Sequence, residues 1–411
     1  MSPRLSARLE EREGRAALLL AAALAVLGAA MLVWRGGTIA FPDEREYLHL
    51  ARGLLATGSF GPDGSPSAYR LPLYPAFLAL LLVLRDDPLL VQAVQLGLWL
   101  ATGLVLRAIA RERAGPLAGL LALGLWGAYP HALFLATTLH PQALLAPALA
   151  LSLALTLGRP SVARAAALGL LGGLASLLVA HALVPAVIHL GLLAGRLGGR
   201  RALVALLAGG ALLALPPVLW IARNERALGA PVLTTNSGIN LLLGNAPGVR
   251  PETGTRLELG PYAEATRGLS ELEADRVFRR LALDWIRAHP EEAARLYLGK
   301  LLHWVAAVDR LATEAEGGRG RALLATLGWY GLLALLLFGS VLALRAGRLD
   351  PRLFVASWGA WLAAALLYAV FFTRVRFRIP FDALLVPAAA IGLALRLGGP
   401  TRGPSRTPPP Q

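Results

Sequence analysis

The sequence contains no cysteine, so disulfide bonds, thiol catalysis and thiolate metal sites are all excluded. It is also poor in charge, because only 16% of its 411 residues are Asp, Glu, Lys or Arg, whereas soluble domains average about 25%. Apolar residues make up 56% of the chain, and the mean hydropathy is +0.58. This balance excludes an ordinary soluble domain and predicts an all-α polytopic integral membrane protein.

Leu, Ala and Gly dominate the long apolar runs, a composition that suits close packing of helices in lipid. About ten runs are predicted to span the bilayer: 16–34, 89–106, 117–135, 143–157, 165–180, 182–194, 202–222, 323–344, 353–371 and 379–395. The first run follows basic residues, as in a signal peptide, but it is long enough to span and lacks a small-residue cleavage site. We therefore expect it to be an uncleaved first span.

Basic residues cluster in every second connection between these runs, which predicts a multi-pass protein of the plasma (inner) membrane with both termini in the cytoplasm. The same clusters account for the net charge of +15, so nucleic acid is not expected as a partner. The predicted organisation is a transmembrane module at 1–222 with a first external loop at 35–88, an external loop region at 223–322, C-terminal spans at 323–397 and a disordered cytoplasmic tail at 398–411.

The stretch "FPDEREYLHLARGLL" has apolar residues at helical spacing, with charged residues on the other face. Pro42 suits the first position of a helix, which places Asp43 and Glu44 in the first turn, and Gly58 suits its end. We expect an interfacial amphipathic helix at the outer membrane surface. The following run, "LPLYPAFLALLLVL", is short for a span and is expected to be a second helix at that surface.

The long external segment is predicted to contain two further helices. Ser270 and Glu273 have capping-box spacing at the start of "SELEADRVFRRLALDWIRA", and Pro290 begins the next helix. The stretch "NSGINLLLGNAPG" is rich in Gly and Asn and is interpreted as a loop. The sequence shows no phosphate-loop motif and no metal-ligand spacing, so no cofactor or metal is expected.

Four stretches, in order along the chain, resemble one known family. They are "PDEREYLHLARGLL" with "YRLPLYPAFLALLL", then "LPPVLWIARNERALGAPVLTTNSGINLLLGN", "ALDWIRAHPEEAARLYLGKLLHW" and "TRVRFRIPFDALLVPAAAIGL". Together they are similar to the GT-C superfamily of membrane glycosyltransferases, in particular the bacterial protein O-mannosyltransferase and aminoarabinose transferase group, the dolichyl-phosphate-mannose-protein mannosyltransferase family. The resemblance covers most of the chain and implies a GT-C-like bundle with external interfacial helices and a long external loop region.

The resemblance implies transfer of a sugar, with inversion, from a polyprenyl-phosphate donor to an acceptor hydroxyl at the external or periplasmic face. The expected partners are that donor, an acceptor that the sequence does not identify, and the lipid bilayer. Asp43 matches the family's catalytic carboxylate, with Glu44 in a supporting role. The candidate ligands of the donor phosphate are Arg70, Arg374, Arg376 and Arg378. The candidate pocket residues are Tyr47, Tyr74, His140, Gln142, Arg223, Asn224, Asn240 and Asn245.

One departure from the family concerns Gln142, in a loop where members often carry a second acidic residue. A neutral Gln142 cannot act as a base or bind a divalent metal strongly, which argues against metal dependence and leaves open a non-catalytic scaffold that uses the same fold. A second alternative is a transporter or flippase of a lipid-linked or anionic solute, supported by the same arginines and by the broken-looking segment from His181 to Pro185.

Simpler interpretations of the individual residues also remain open. Asp43 and Glu44 could cap a helix, and the arginines of "TRVRFR" could lie along a membrane interface. Arg223 could be an interfacial anchor. His181 and His189 could serve helix packing, and Asp382 could pair with Arg378 four residues earlier.

Overall fold

The computed structural model describes residues 3–252, 260–309 and 319–398, and within these ranges the chain is helical with no β-strand. The predicted tail at 398–411 lies outside the described residues apart from Gly398. The helices are α1 Pro3–Arg35, α2 Pro42–Thr57, α3 Leu73–Leu84, α4 Pro88–Ala114, α5 Pro116–Gly127, α6 Pro130–Leu135, α7 Gln142–Leu157, α8 Val162–Ser176, α9 Leu183–Ala194, α10 Gly199–Leu228, α11 Ser237–Gly244, α12 Gly260–Ala265, α13 Glu271–Ala288, α14 Pro290–His303, α15 Arg319–Arg345, α16 Pro351–Phe354, α17 Ala360–Val370 and α18 Val375–Gly398. Short 3₁₀ turns at Pro62–Gly64 and Ala180–Ala182 and a π-helical turn at Val355–Gly359 complete the described elements.

Six helical segments in the described ranges are long and apolar enough to cross a membrane, judged by length and composition: Glu11–Arg35, Pro88–Ala114, Gly199–Leu228, Ala322–Arg345, Pro351–Val370 and Val375–Gly398. Five shorter apolar helices are Leu73–Leu84, Pro116–Gly127, Gln142–Leu157, Val162–Ser176 and Ala180–Ala194. The protein is therefore a multi-pass, all-helical membrane protein, but the predicted count of ten spans is not confirmed. The run at 117–135, for example, is divided because Pro130 starts a new helix.

Local sequence signals explain where several helices begin and end. Pro42 is the first residue of α2, and Gly58 ends that helix in the left-handed conformation with φ +69°. Ser270 and Glu273 form the reciprocal capping box of α13, and Pro290 begins α14. These helices, and a helix in "LPLYPAFLALLLVL", are confirmed.

The interpretation of "NSGINLLLGNAPG" as a loop is wrong, because its middle forms α11. The backbone N–H of Gly238 donates to the Asp275 carboxylate, and Leu242 packs in a cluster with Ala282 of α13. Tertiary partners on α13 thus override the weak helix propensity of Gly and Asn in the sequence.

Helix α18 lies at the centre of the bundle, where it packs against α4, α5, α7 and α15. Its crossing with α15 is close, since a methyl group built on Gly392 would lie 1.7 Å from the carbonyl oxygen of Gly339. The Asp309 carboxylate accepts a hydrogen bond from the Val375 N–H at the start of α18, with a nitrogen-to-oxygen distance of 3.1 Å. The ion pair between Arg376 and Asp43 joins this end of α18 to the N-terminal end of α2.

Candidate functional site

Asp43 lies between two arginines that come from distant parts of the chain. Its Oδ1 accepts a hydrogen bond from Arg70 Nη2 at 3.0 Å, and its Oδ2 accepts one from Arg376 Nη2. Arg376 Nη1 also donates to His140 Nε2 at 2.6 Å. The N-terminus of α2, the segment before α3, the loop before α7 and the start of α18 therefore meet at one cluster, which we call the Asp43 cluster: Asp43, Glu46, Arg70, His140 and Arg376.

The charges around Asp43 decide its protonation state. Burial raises the pKa of its carboxyl group, but the guanidinium groups of Arg376 and Arg70 outweigh burial and hold that pKa well below its usual range. Burial, and to a smaller extent the positive charge of Arg376, hold the pKa of His140 well below its ordinary value. At neutral pH Asp43 is therefore an anion, whereas His140 is a neutral imidazole whose Nε2 accepts a hydrogen bond from Arg376.

The second carboxylate of the cluster is Glu46, which the sequence analysis did not select. Arg70 Nη2 donates to Glu46 as well as to Asp43, and the Arg70 guanidinium lies 5.1 Å from the ring centroid of Tyr47 and 5.4 Å from that of Tyr69. Asp43 and Glu46 are three residues apart, so they share a face of α2. This i, i+3 spacing was the signal in the sequence that could have identified Glu46.

Glu44 has a different position. It is fully buried. Its carboxylate accepts hydrogen bonds from the backbone N–H groups of Ala40 and Phe41, both at 2.7 Å, and of Leu139, at 2.8 Å. Glu44 thus caps α2 and joins it to the loop that carries His140. The structure does not bring its carboxylate into contact with the arginines of the Asp43 cluster.

Arg378 also lies apart from Asp43. It is fully buried, its Nε donates to Asp382 at 2.9 Å, and its guanidinium is 3.6 Å from the ring centroid of Trp329. Asp382 accepts further hydrogen bonds from Tyr129 and Trp361. Arg378 is therefore part of an internal polar network, while Arg374, also buried, precedes α18 next to Phe372.

Among the candidate pocket residues, Tyr47, Tyr74 and Gln142 lie near the cluster or beside its supporting helices. Tyr47 packs edge-on against Tyr74 with ring centroids 5.1 Å apart, and the Tyr74 hydroxyl donates to Gln95 at 2.8 Å. Gln142, the first residue of α7, is buried, and its Oε1 has no hydrogen-bond partner in the described part of the chain. A buried acceptor oxygen without a partner is unusual in a folded protein.

The other four candidates hold loops in place. Arg223 donates to the carbonyl oxygens of Ser67 at 2.8 Å and Phe60 at 3.0 Å. The remaining contacts join Asn224 to the Val232 carbonyl, Asn240 to Asn236, and Asn245 to the Val370 carbonyl. The structure does not bring these four side chains into contact with Asp43.

Lys300, which the sequence analysis did not select, fixes one of those loops. Its buried Nζ donates to the Phe371 carbonyl at 2.9 Å, the Gly244 carbonyl at 3.1 Å and Asn245 Oδ1 at 3.2 Å. Burial lowers the pKa of its ammonium group to about 8. Lys300 thus joins α14 to α11 and to the segment that leads into α18.

The two histidines in apolar sequence are engaged in packing. His181 stacks on Tyr368 at 3.9 Å, and His189 lies 2.6 Å from Ser152 Oγ and 2.9 Å from the Ala356 carbonyl. In the described ranges, no group of three or more His, Asp or Glu side chains is arranged to hold a metal ion.

Comparisons with known proteins give a distant likeness in structure. No family model matches the chain, and no curated protein matches it. A solved structure that is similar is ArnT from Cupriavidus metallidurans bound to undecaprenyl phosphate, which is 15% identical over 90% of this chain and 78% of that chain, with a TM-score of 0.38. Because this TM-score is low, the likeness is no evidence about the function of this chain.

Proposed function

We propose that this protein is a membrane glycosyltransferase that moves a sugar from a polyprenyl-phosphate donor to an acceptor hydroxyl, with inversion at the sugar carbon. The observation that carries the proposal is the Asp43 carboxylate between Arg70 and Arg376. These are three of the residues on which the sequence resemblance to GT-C glycosyltransferases depends. We place the cluster at the external face, as the positions of the basic loops predict.

The two arginines would bind the phosphate of the donor. When the bond between the sugar carbon and the phosphate oxygen breaks, the departing phosphate gains negative charge. Guanidinium groups fixed beside it then stabilise the transition state more than the ground state. Arg70 and Arg376 suit this role because a guanidinium can donate two parallel hydrogen bonds to a phosphate.

Asp43 would receive the proton. The acceptor oxygen attacks the sugar carbon from the side opposite the phosphate, and its hydroxyl proton passes to the carboxylate of Asp43. While both guanidinium groups contact Asp43, its low pKa makes it a weak base. A donor phosphate that draws those groups towards itself would raise the basicity of Asp43 at the moment when a base is needed.

Helix α3 offers a surface for the lipid carrier. Its inner face is buried against α2, whereas Leu80, Val83 and Leu84 on the outer face are 67%, 67% and 75% exposed. Such a fully apolar outer face suits contact with acyl or prenyl chains rather than water. The prenyl chain of the donor would lie along this helix while its phosphate reaches Arg70, just before the helix begins.

The binding half of the proposal is tested with undecaprenyl phosphate, the lipid in the solved structure of ArnT. Native mass spectrometry of the purified full chain would compare wild type with Arg70→Ala, Arg376→Ala and the control Arg287→Ala, whose partner is the exposed Asp284. We expect each site variant to lose about tenfold or more in affinity, since a charge-assisted pair is worth about 1.5–3 kcal/mol, and the control to keep it. Wild type with no preference over phosphatidylglycerol would refute the proposal and favour a transporter or a scaffold.

The catalytic half is tested by Asp43→Asn on a demonstrated donor and acceptor. We expect transfer to fall by about 10² to 10⁴-fold, the usual contribution of a positioned acid or base. Full transfer by this variant would exclude Asp43 as the base.

A further inference from the structure

The Asp43 cluster is balanced in charge before any ligand arrives. Arg70 and Arg376 supply two positive charges, Asp43 and Glu46 supply two negative charges, and His140 is neutral. An anion that approaches the arginines therefore meets cations that are already paired. The anion can bind tightly only if one of the two carboxylates leaves its arginine.

The two carboxylates are held unequally. Asp43 uses both of its oxygens, one on each arginine, and its side chain is 28% exposed. Glu46 has a single ion-pair partner among the described residues, Arg70, and its side chain is 36% exposed. Water can hydrate Glu46 as soon as it leaves Arg70, so its release costs less than that of Asp43.

Arg70 has a hydrogen-bond donor that it does not use within the described residues. A single nitrogen, Nη2, serves both Asp43 and Glu46, while its buried Nε has no hydrogen-bond partner in the described ranges. A phosphate with several oxygens can accept from two nitrogens of one guanidinium, which gives a stronger pair than one shared nitrogen does. Exchange of Glu46 for a phosphate therefore improves the hydrogen bonding of Arg70.

We propose that Glu46 is an internal competitor for Arg70, displaced by the donor phosphate and returning to Arg70 when the product leaves. This inference rests on the proposed function and deepens it. Transfer converts a sugar phosphodiester with one negative charge into a polyprenyl phosphate monoester with up to two. With Glu46 displaced, Arg70 would hold that product more tightly than the donor, and the return of Glu46 to Arg70 weakens this hold. Glu46 thus limits how tightly Arg70 holds the product.

The proposal predicts that removing a negative charge beside the site tightens anion binding through one arginine only. The experiment measures the Kd of undecaprenyl phosphate for the full chain in detergent micelles at constant salt, for wild type, Glu46→Gln, Arg70→Ala and the double variant. We expect Glu46→Gln to lower the Kd about fivefold in the wild-type background, the value of a partly exposed ion pair, and less than twofold when Arg70 is absent. Glu46→Asp keeps the charge and should keep the wild-type Kd, as should the distant control Asp284→Asn.

Each outcome supports or overturns the inference. An unchanged or higher Kd in Glu46→Gln, with the unfolding temperature of wild type, overturns it. Equal tightening with and without Arg70 also overturns it, because the effect would then be a general change of potential. Wild type that does not bind the lipid above the phosphatidylglycerol background refutes the proposed function and the inference with it. Binding that is lost in Arg70→Ala but indifferent to Glu46→Gln refutes the inference alone.

Discussion

Arg376 and Arg378 are two residues apart on α18, yet they lie in opposite environments. The Arg376 side chain is 29% exposed and contacts Asp43 and His140, whereas Arg378 is fully buried and contacts Asp382 and the ring of Trp329. With 3.6 residues per turn, positions two apart lie on nearly opposite sides of a helix. The motif "RVRFR" is thus two separate sites rather than one anion-binding cluster.

This difference indicates which of the two ion pairs, Arg376–Asp43 or Arg378–Asp382, can exchange its partner for a ligand. The ligands of Arg376 are side chains at a partly open site, where a new anion can replace them at modest cost. Arg378 also donates to the Ala306 carbonyl at 2.8 Å, and Asp382 accepts hydrogen bonds from Tyr129 and Trp361. Both members of this pair therefore have further hydrogen bonds inside the protein. A buried pair of this kind contributes to the structure and is costly to break.

The largest expected effect comes from breaking the buried pair. Arg378→Met leaves Asp382 buried without its cation, and we expect a loss of about 3–5 kcal/mol of stability. Thermal unfolding in detergent measures it. The double variant Arg378→Met with Asp382→Asn removes both charges and should unfold at a higher temperature than the single variant. A single variant as stable as wild type would show that the pair is not a structural element.

A smaller change in stability is expected for Arg376→Met. Asp43 keeps its ion pair with Arg70 in this variant, and the lost pair is partly exposed, so we expect a loss of about 1 kcal/mol or less. The same unfolding measurement, run beside Arg378→Met, sharpens the comparison. Equal losses for the two variants would contradict the assignment of separate roles to the two arginines.

An effect of pH rather than of a broken pair concerns the buried Lys300, whose contacts fix the segment before α18. Its folded pKa of about 8 lies below the ordinary value of 10.5, so between these values the unfolded chain binds more protons than the folded chain. The penalty of the buried charge is therefore complete below pH 8 and is relieved as the pH rises towards 10.5. We expect this rise in stability in wild type to be absent from Lys300→Met. Parallel pH profiles for both proteins would contradict the shift.

The sequence predicted the helices well because hydropathy, proline and capping residues act locally. Pro42, Gly58 and the Ser270–Glu273 pair fix helix ends whatever the tertiary fold. Helix α11 could not be predicted, because its stability depends on Asp275 and Ala282, which only the fold brings near. Whether an apolar helix crosses the membrane likewise depends on its neighbours as well as on its length.

The cluster was predictable in part. The resemblance selected Asp43, Arg70, His140 and Arg376, and the structure places them together, although their roles stay predictions. The resemblance also selected Glu44 and Arg378, whose side chains are used inside the protein. Neighbouring residues of the same chemical type can be told apart only by the face of the helix that each occupies, and that face depends on what packs against it.

The close packing around Gly244, whose carbonyl accepts from Lys300, limits which side chains the position can hold. A methyl group there would lie 1.6 Å from the carbonyl oxygen of Phe371, the same oxygen that accepts from Lys300. No other amino acid fits without moving the segment that leads into α18. A side chain at this position would therefore also disturb the hydrogen bond between Lys300 and Phe371, and with it the start of α18.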